Sequence, residues 1–161
     1  MAKKKPICNY AGELKELQTG DFSGSLVEDT EPQLGGALDL NNKPMINEYT
    51  AGESLVARGL CYQKSDGKMW KTDANAEATT QGYLVLCAET IAADGTGTFV
   101  FLGRLTGYTG LTIGSVCYVS LTTGEITQTR PSVIGEFIRV VGYADSATSI
   151  VFQPSPVWVE K

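Results

Sequence analysis

Hydrophobic positions are spread unevenly along the chain. From about residue 51 onward, short runs rich in Val, Ile, Thr, Tyr and Phe are separated by glycine-containing turns, the pattern of an all-β domain. The runs predict strands near 54–57, 59–63, 68–72, 82–88, 97–104, 115–120, 125–129, 136–144 and 148–153. No long helix is needed, and residues 77–82 can begin with a short helical turn at most. Ser65–Lys68 and Thr122–Glu125 read as hairpin turns by their Asp-Gly and Thr-Gly cores, and Ala93–Gly97 as a longer one.

The first 50 residues have a different texture. Residues 13–21 offer only Leu14 and Leu17 as anchors, and residues 22–48 mix Gly, Pro, Asn and acids with isolated leucines such as Leu34, Leu38 and Leu40. Such a stretch cannot fold around a core of its own. The expected organisation is therefore an extended N-terminal interaction arm, 1–50, followed by a compact β-sandwich or barrel, 51–161.

Two hairpins of the β domain look like copies. Cys61-Tyr62, Gly67, Met69 and Thr72 align with Cys117-Tyr118, Gly124, Ile126 and Thr129. Each is followed by a Gly-Tyr pair, at 82–83 and 142–143, and then by an aromatic strand, Phe99–Phe101 and Ile150–Phe152. A duplication of two similar β units is the simplest account.

Composition narrows the function classes. The chain contains no histidine, which removes serine and cysteine triads and most zinc and iron sites, so a non-enzymatic role without cofactor or small-molecule substrate is expected. A net charge of -5 and a pI near 4.7 argue against a nucleic-acid partner, because neutralising phosphates requires a basic face. No apolar run reaches the roughly 20 residues that cross a bilayer, so no membrane partner is expected. The four cysteines, at 8, 61, 87 and 117, are widely spaced with no C-x-x-C pair. Met1–Pro6 is not followed by the apolar run of a secretory signal, so synthesis in a reducing cytoplasm is expected, with Cys61, Cys87 and Cys117 as small core residues.

Between 91 and 157 only Asp94, Arg104, Glu125, Arg130, Glu136, Arg139 and Asp145 are charged, roughly a tenth of positions against the usual quarter. A lone domain charges its strand edges against wrong pairing, so this sparsity points to a surface that meets other subunits. Candidate interface residues are Lys3, Lys4 and Lys5, the only basic run; Leu14, Leu17, Leu34, Leu38 and Leu40 of the arm; and Trp158. Trp158 follows Gln153–Pro156, where two prolines stop the sheet, and its large ring needs a cover from its own domain or a neighbouring chain. The acids Glu28, Asp29, Glu31 and Asp39 match no calcium-loop spacing, so no metal site is expected. Glu125 with Glu136 is the only acidic pair that could be nominated for glycosidic chemistry.

Residues 114–160, with the signposts G-x-x-x-Y-V-S, T-G-x-I-T, R-V-V-G-Y-A and F-x-P-S, resemble the C-terminal β module of small structural proteins of tailed bacteriophages. Residues 28–46, EDTEPQLGGALDLNNKPMI, with the preceding GELKELQTGD, are similar to a segment of phage tail-fibre and virion proteins. The chain has neither a repetitive shaft nor a large distal domain, so an arm with one β domain looks most like a head decoration or cement protein. The resemblance implies a homotrimer on the capsid exterior whose arms clamp the major capsid protein, made in the host cytoplasm. A short tail fibre, spike or adaptor with a role in host attachment is the alternative. A carbohydrate-binding β domain is a third, favoured by an aromatic groove with acids nearby.

Overall fold

The computed structural model describes residues 7–10, 13–16 and 43–161. The chain divides into two parts, Met1–Leu38 and Asp39–Lys161. In the first, strands β1 (Ile7–Tyr10) and β2 (Glu13–Glu16) form an antiparallel hairpin in register Ile7↔Glu16 to Tyr10↔Glu13. Within the stretch expected to be an extended arm, these eight residues satisfy each other's backbone groups, and the rest of 1–42 lies outside the described residues.

The second part is nearly all β, a curled antiparallel sheet forming a half-barrel. Its elements are β3 (Met45–Thr50), β4 (Leu60–Gln63), β5 (Met69–Lys71), the single helical turn α1 (Glu77–Thr80), β6 (Leu84–Cys87), β7 (Thr96–Thr106), β8 (Val116–Val119), β9 (Ile126–Thr127), β10 (Phe137–Ile138), β11 (Val140–Ser146), β12 (Ser149–Phe152) and β13 (Val159–Glu160). β10 and β13 form a separate two-stranded pair. The main sheet runs β5-β4-β6-β7-β12-β11-β8-β9, with β3 also on β7.

Three expectations are corrected. Residues 45–50, assigned to the arm, pair with β7 from Met45↔Leu102 to Thr50↔Thr96, so the β domain begins before 51. Residues 54–57 are not a strand: Leu55 makes one bridge, to Ile91, and acts as a cover over the sheet. The run 136–144 is split, because β10 leaves the sheet to pair with β13 while β11 stays between β8 and β12.

The strand order is a palindrome of two halves, each built as hairpin, inner strand and central strand, joined where Gly103–Thr106 of β7 pairs with Phe152–Ser149 of β12. This is the two-unit architecture the sequence suggested, with residue equivalences that differ from the aligned motifs. Cys61 and Cys117, aligned by sequence, lie on opposite faces: Cys61 packs with Met69, Val85, Cys87 and Phe99, and Cys117 with Leu60, Leu86, Val100 and Phe152. Gly82-Tyr83 precedes β6, whereas Gly142-Tyr143 lies within β11. The cause is a bulge in β7. Ile46 pairs with Val100 and Met45 with Leu102, which leaves Phe101 as an extra residue and turns the rest of β7 over by one position.

The inner cluster is shared by both halves: Leu60, Leu84, Leu86 and Val100 from the first meet Cys117, Val119, Val141, Ile150 and Phe152 from the second, and the sheet curls to close them together. Fully burying each of the larger side chains stabilises the fold by about 1.5–3 kcal/mol. The first half is covered on its outer face as well, where Ala51, Leu55 and Ile91 lie over Cys61, Val85, Cys87 and Phe99. β6 is accordingly apolar at all four positions, as a strand buried on both faces must be. Gly142 is required where β11 meets β12: at φ 155°, a Cβ there would stand 2.1 Å from the Val151 carbonyl oxygen.

Candidate interaction site

Among the described residues, none covers the outer face of the second half as Ala51, Leu55 and Ile91 cover the first. Across four strands, Val116, Tyr143, Val151 and Arg104 lie opposite one another in a row. Tyr143 is 49% exposed, and Val151 is also exposed. The charges beside this row are paired with each other: Arg104 Nε meets Asp145 Oδ2 at 2.6 Å, and Arg104 Nη2 donates to Ser149 Oγ at 3.0 Å. Ser149 Oγ in turn donates to Asp145 Oδ1. That hydroxyl, with Arg104 beside it, holds the Asp145 carboxyl below its ordinary value. The face thus combines exposed Tyr143 and Val151 with charges that pair with each other, and its rim continues into a shallow groove of about 370 Å³ along Val140, Tyr143, Gln153, Pro154 and Pro156.

A second apolar feature is the loop 131–136. Glu136 Oε2 accepts the Ser132 and Val133 amides at 2.7 and 2.9 Å, and Gly135 (φ 89°) donates its amide to the Lys161 carbonyl. The loop so fixed holds Val133 and Ile134 out into solvent, 62% and 89% exposed. Rigid presentation of two branched aliphatic side chains lowers the ordering cost of docking.

The third feature is a groove of about 480 Å³ beside Trp158, lined by Gln81–Leu84, Phe101, Arg139, Pro154 and Pro156. Its parts come from distant stretches of chain. The extra residue of the β7 bulge supplies Phe101, and the end of α1 leads into Gln81 and Tyr83. The prolines that stop β12 start the strap that carries Trp158. The Trp158 indole N–H donates to Glu77 Oε1 at 3.1 Å, and the Arg139 guanidinium lies 5.8 Å from the ring centre. Arg139, in the single-residue gap between β10 and β11, is only 4% exposed. Its Nε donates to the Ser155 carbonyl at 2.8 Å and its Nη1 to the Thr80 carbonyl at 2.6 Å, tying strap and helical turn to the sheet. Burial lowers the guanidinium's affinity for its proton from the ordinary value.

Of the residues singled out in sequence, Trp158 is therefore half-buried on its own domain, and one edge of it faces the groove. Lys3, Lys4, Lys5, Leu17, Leu34, Leu38 and Leu40 lie outside the described residues, as do Glu28, Asp29, Glu31 and Asp39. Leu14 lies in β2 opposite Asn9. Glu125 and Glu136 are not brought together; they line different grooves. Among the described residues no cluster of three metal-ligating side chains occurs, and no helix is long and apolar enough to cross a membrane. Cys61, Cys87 and Cys117 are buried free thiols, and burial pushes the Cys61 thiol well above its ordinary range.

Sequence reasoning missed Arg139 and the Val133–Ile134 tip. A single cation inside the apolar run Phe137–Val141 was a signal for a buried arginine, and an aliphatic pair between Pro131-Ser132 and Gly135 was one for an exposed loop tip. The chain matches no protein-family model and no curated protein.

Proposed function

We propose that the chain is a non-enzymatic structural virion protein that decorates and cements a bacteriophage capsid, as a homotrimer bound to neighbouring subunits of the major capsid protein. The observation that carries this reading is the outer face of the second half. It spans four strands, bears Tyr143 and Val151 bare, and keeps its charges internally paired, as a surface meant for another subunit does. The rigid Val133–Ile134 tip adds a second apolar contact. The resemblance of residues 114–160 to phage virion modules supplies the particle.

A cement protein that binds only the assembled shell raises the shell's stability by mass action. Heads lacking the protein burst at a lower temperature than decorated heads, and adding it back restores heat resistance; host adsorption changes little. Unchanged heat resistance with abolished adsorption would place the chain in the tail or host-attachment apparatus instead.

A further inference from the structure

We propose that the groove between Arg139 and Trp158 binds the carboxylate of an Asp or Glu carried on an extended, otherwise apolar peptide segment of a protein partner. Arg139 is almost completely buried, yet among the described residues no carboxylate lies within ion-pair distance of it. Its two described hydrogen bonds are to carbonyl groups, from Nε and Nη1. Among the described residues no fully enclosed side-chain nitrogen lacks a partner, so Nη2, which has no described hydrogen bond, keeps some solvent contact, and Arg139 lines the groove. A buried cation with an open N–H edge and no counter-charge is an incomplete fork for a carboxylate, which matches it in width and direction.

The walls select the rest of the ligand. Tyr83, Leu84, Phe101, Pro154, Pro156 and Trp158 are apolar or present ring faces, and Gln81 and Arg139 are the only wall residues with amide or charged side-chain ends. A sugar chain can stack its C–H faces on these rings, but the nearby acid Glu77 is held by the Trp158 indole, and Gln81, Arg139 and the Tyr83 hydroxyl are few partners for sugar hydroxyls. The aliphatic side chains flanking an acid on a peptide, by contrast, fill the same space favourably. A phosphate group would call for more cations than the single one here. The prolines give the strap no donor at two positions, so the occupant is held by its side chains and by the guanidinium. This chemistry deepens the docking reading above and rests on it for a protein partner. Its test uses the purified chain, so its failure is distinguishable from failure of the capsid reading, which is decided on particles.

Nonapeptides selected from a displayed random library on the full-length protein should carry Asp or Glu beside apolar residues. A fluorescein-labelled selected peptide should bind at least about tenfold more tightly than its Asn or Gln counterpart, by anisotropy. Arg139→Gln should remove the binding. Because that variant also releases the Thr80 and Ser155 carbonyls, Pro156→Asp is the second test: Pro156 is exposed, so the chain should keep its melting temperature while the added anion weakens the acidic peptide at least about tenfold. The proposal is overturned by a library that yields no binders or binders without acids, or by equal binding of acid and amide peptides. Unchanged affinity in Pro156→Asp, or displacement of the peptide by lower concentrations of oligogalacturonate than of unlabelled peptide, also overturns it.

Discussion

The first half of the sheet, β4 to β7 with β3 and β5, and the second half, β8, β9, β11 and β12, have the same connectivity and differ in what covers them. In the first, Ala51, Leu55 and Ile91 close the outer face with groups from the same chain. In the second, the corresponding face is left with Tyr143 and Val151 bare, while its inner face completes the shared cluster. One β unit thus satisfies itself through a local cover, and the other has apolar area that none of the described residues covers. The same connectivity thus carries a covered face on one side and a bare one on the other.

Substitutions can break this contrast. The largest effect is expected for Gly142→Ala, whose methyl group would collide with the Val151 carbonyl and part β11 from β12; the variant should be mostly insoluble or lose its cooperative melt. Phe99→Ala, beneath the local cover, should cost about 3–5 kcal/mol in urea unfolding, whereas Val151→Ala, on the bare face, should change stability by less than about 0.5 kcal/mol in the isolated chain. A comparable loss for both would mean that the bare face is already buried in the purified protein, as self-association would make it.

A smaller effect is expected for Asp145→Asn. The folded carboxyl is held below its unfolded value, so its contribution is present above the unfolded range and is lost as pH falls through the lowered folded value. Urea midpoints of the parent and the variant should therefore differ at neutral pH and converge in strong acid; a difference that persists there would refute the assignment. The smallest effect concerns the thiols. Cys61, Cys87 and Cys117 should react with an aromatic disulfide reagent only after denaturant is added, and fast native labelling of Cys61 would show the first half's cover to be open.

Much of the β domain was legible from local chemistry. Val-, Thr- and Tyr-rich runs ended by Asp66-Gly67 and Thr123-Gly124 marked the hairpins within a residue or two, because strand and turn preferences act locally. β3 was missed because Met45-Ile46-Asn47-Glu48 has no apolar alternation, and its place is set by β7, some fifty residues further on. The repeat shows in Cys61-Tyr62 and Cys117-Tyr118, but the bulge at Phe101, beyond which the two cysteines lie on opposite faces, leaves no mark in either motif. The groove assembles residues 81–84, 101, 139 and 154–158, a juxtaposition that depends wholly on pairing distant in sequence.

β7 also has a consequence for how the chain is made. Every strand of the first half lies between Met45 and Thr106, so that half can form while the rest is still being translated. The last stretch of β7, Gly103–Thr106, then stays without its β12 partner until Ser149–Phe152 leaves the ribosome. During that interval the nascent protein displays a strand edge ready to pair with any neighbour emerging from the same polysome. Arg104 sits in the middle of that edge, and its charge is the kind of gatekeeper that discourages a second chain from adding there before β12 arrives.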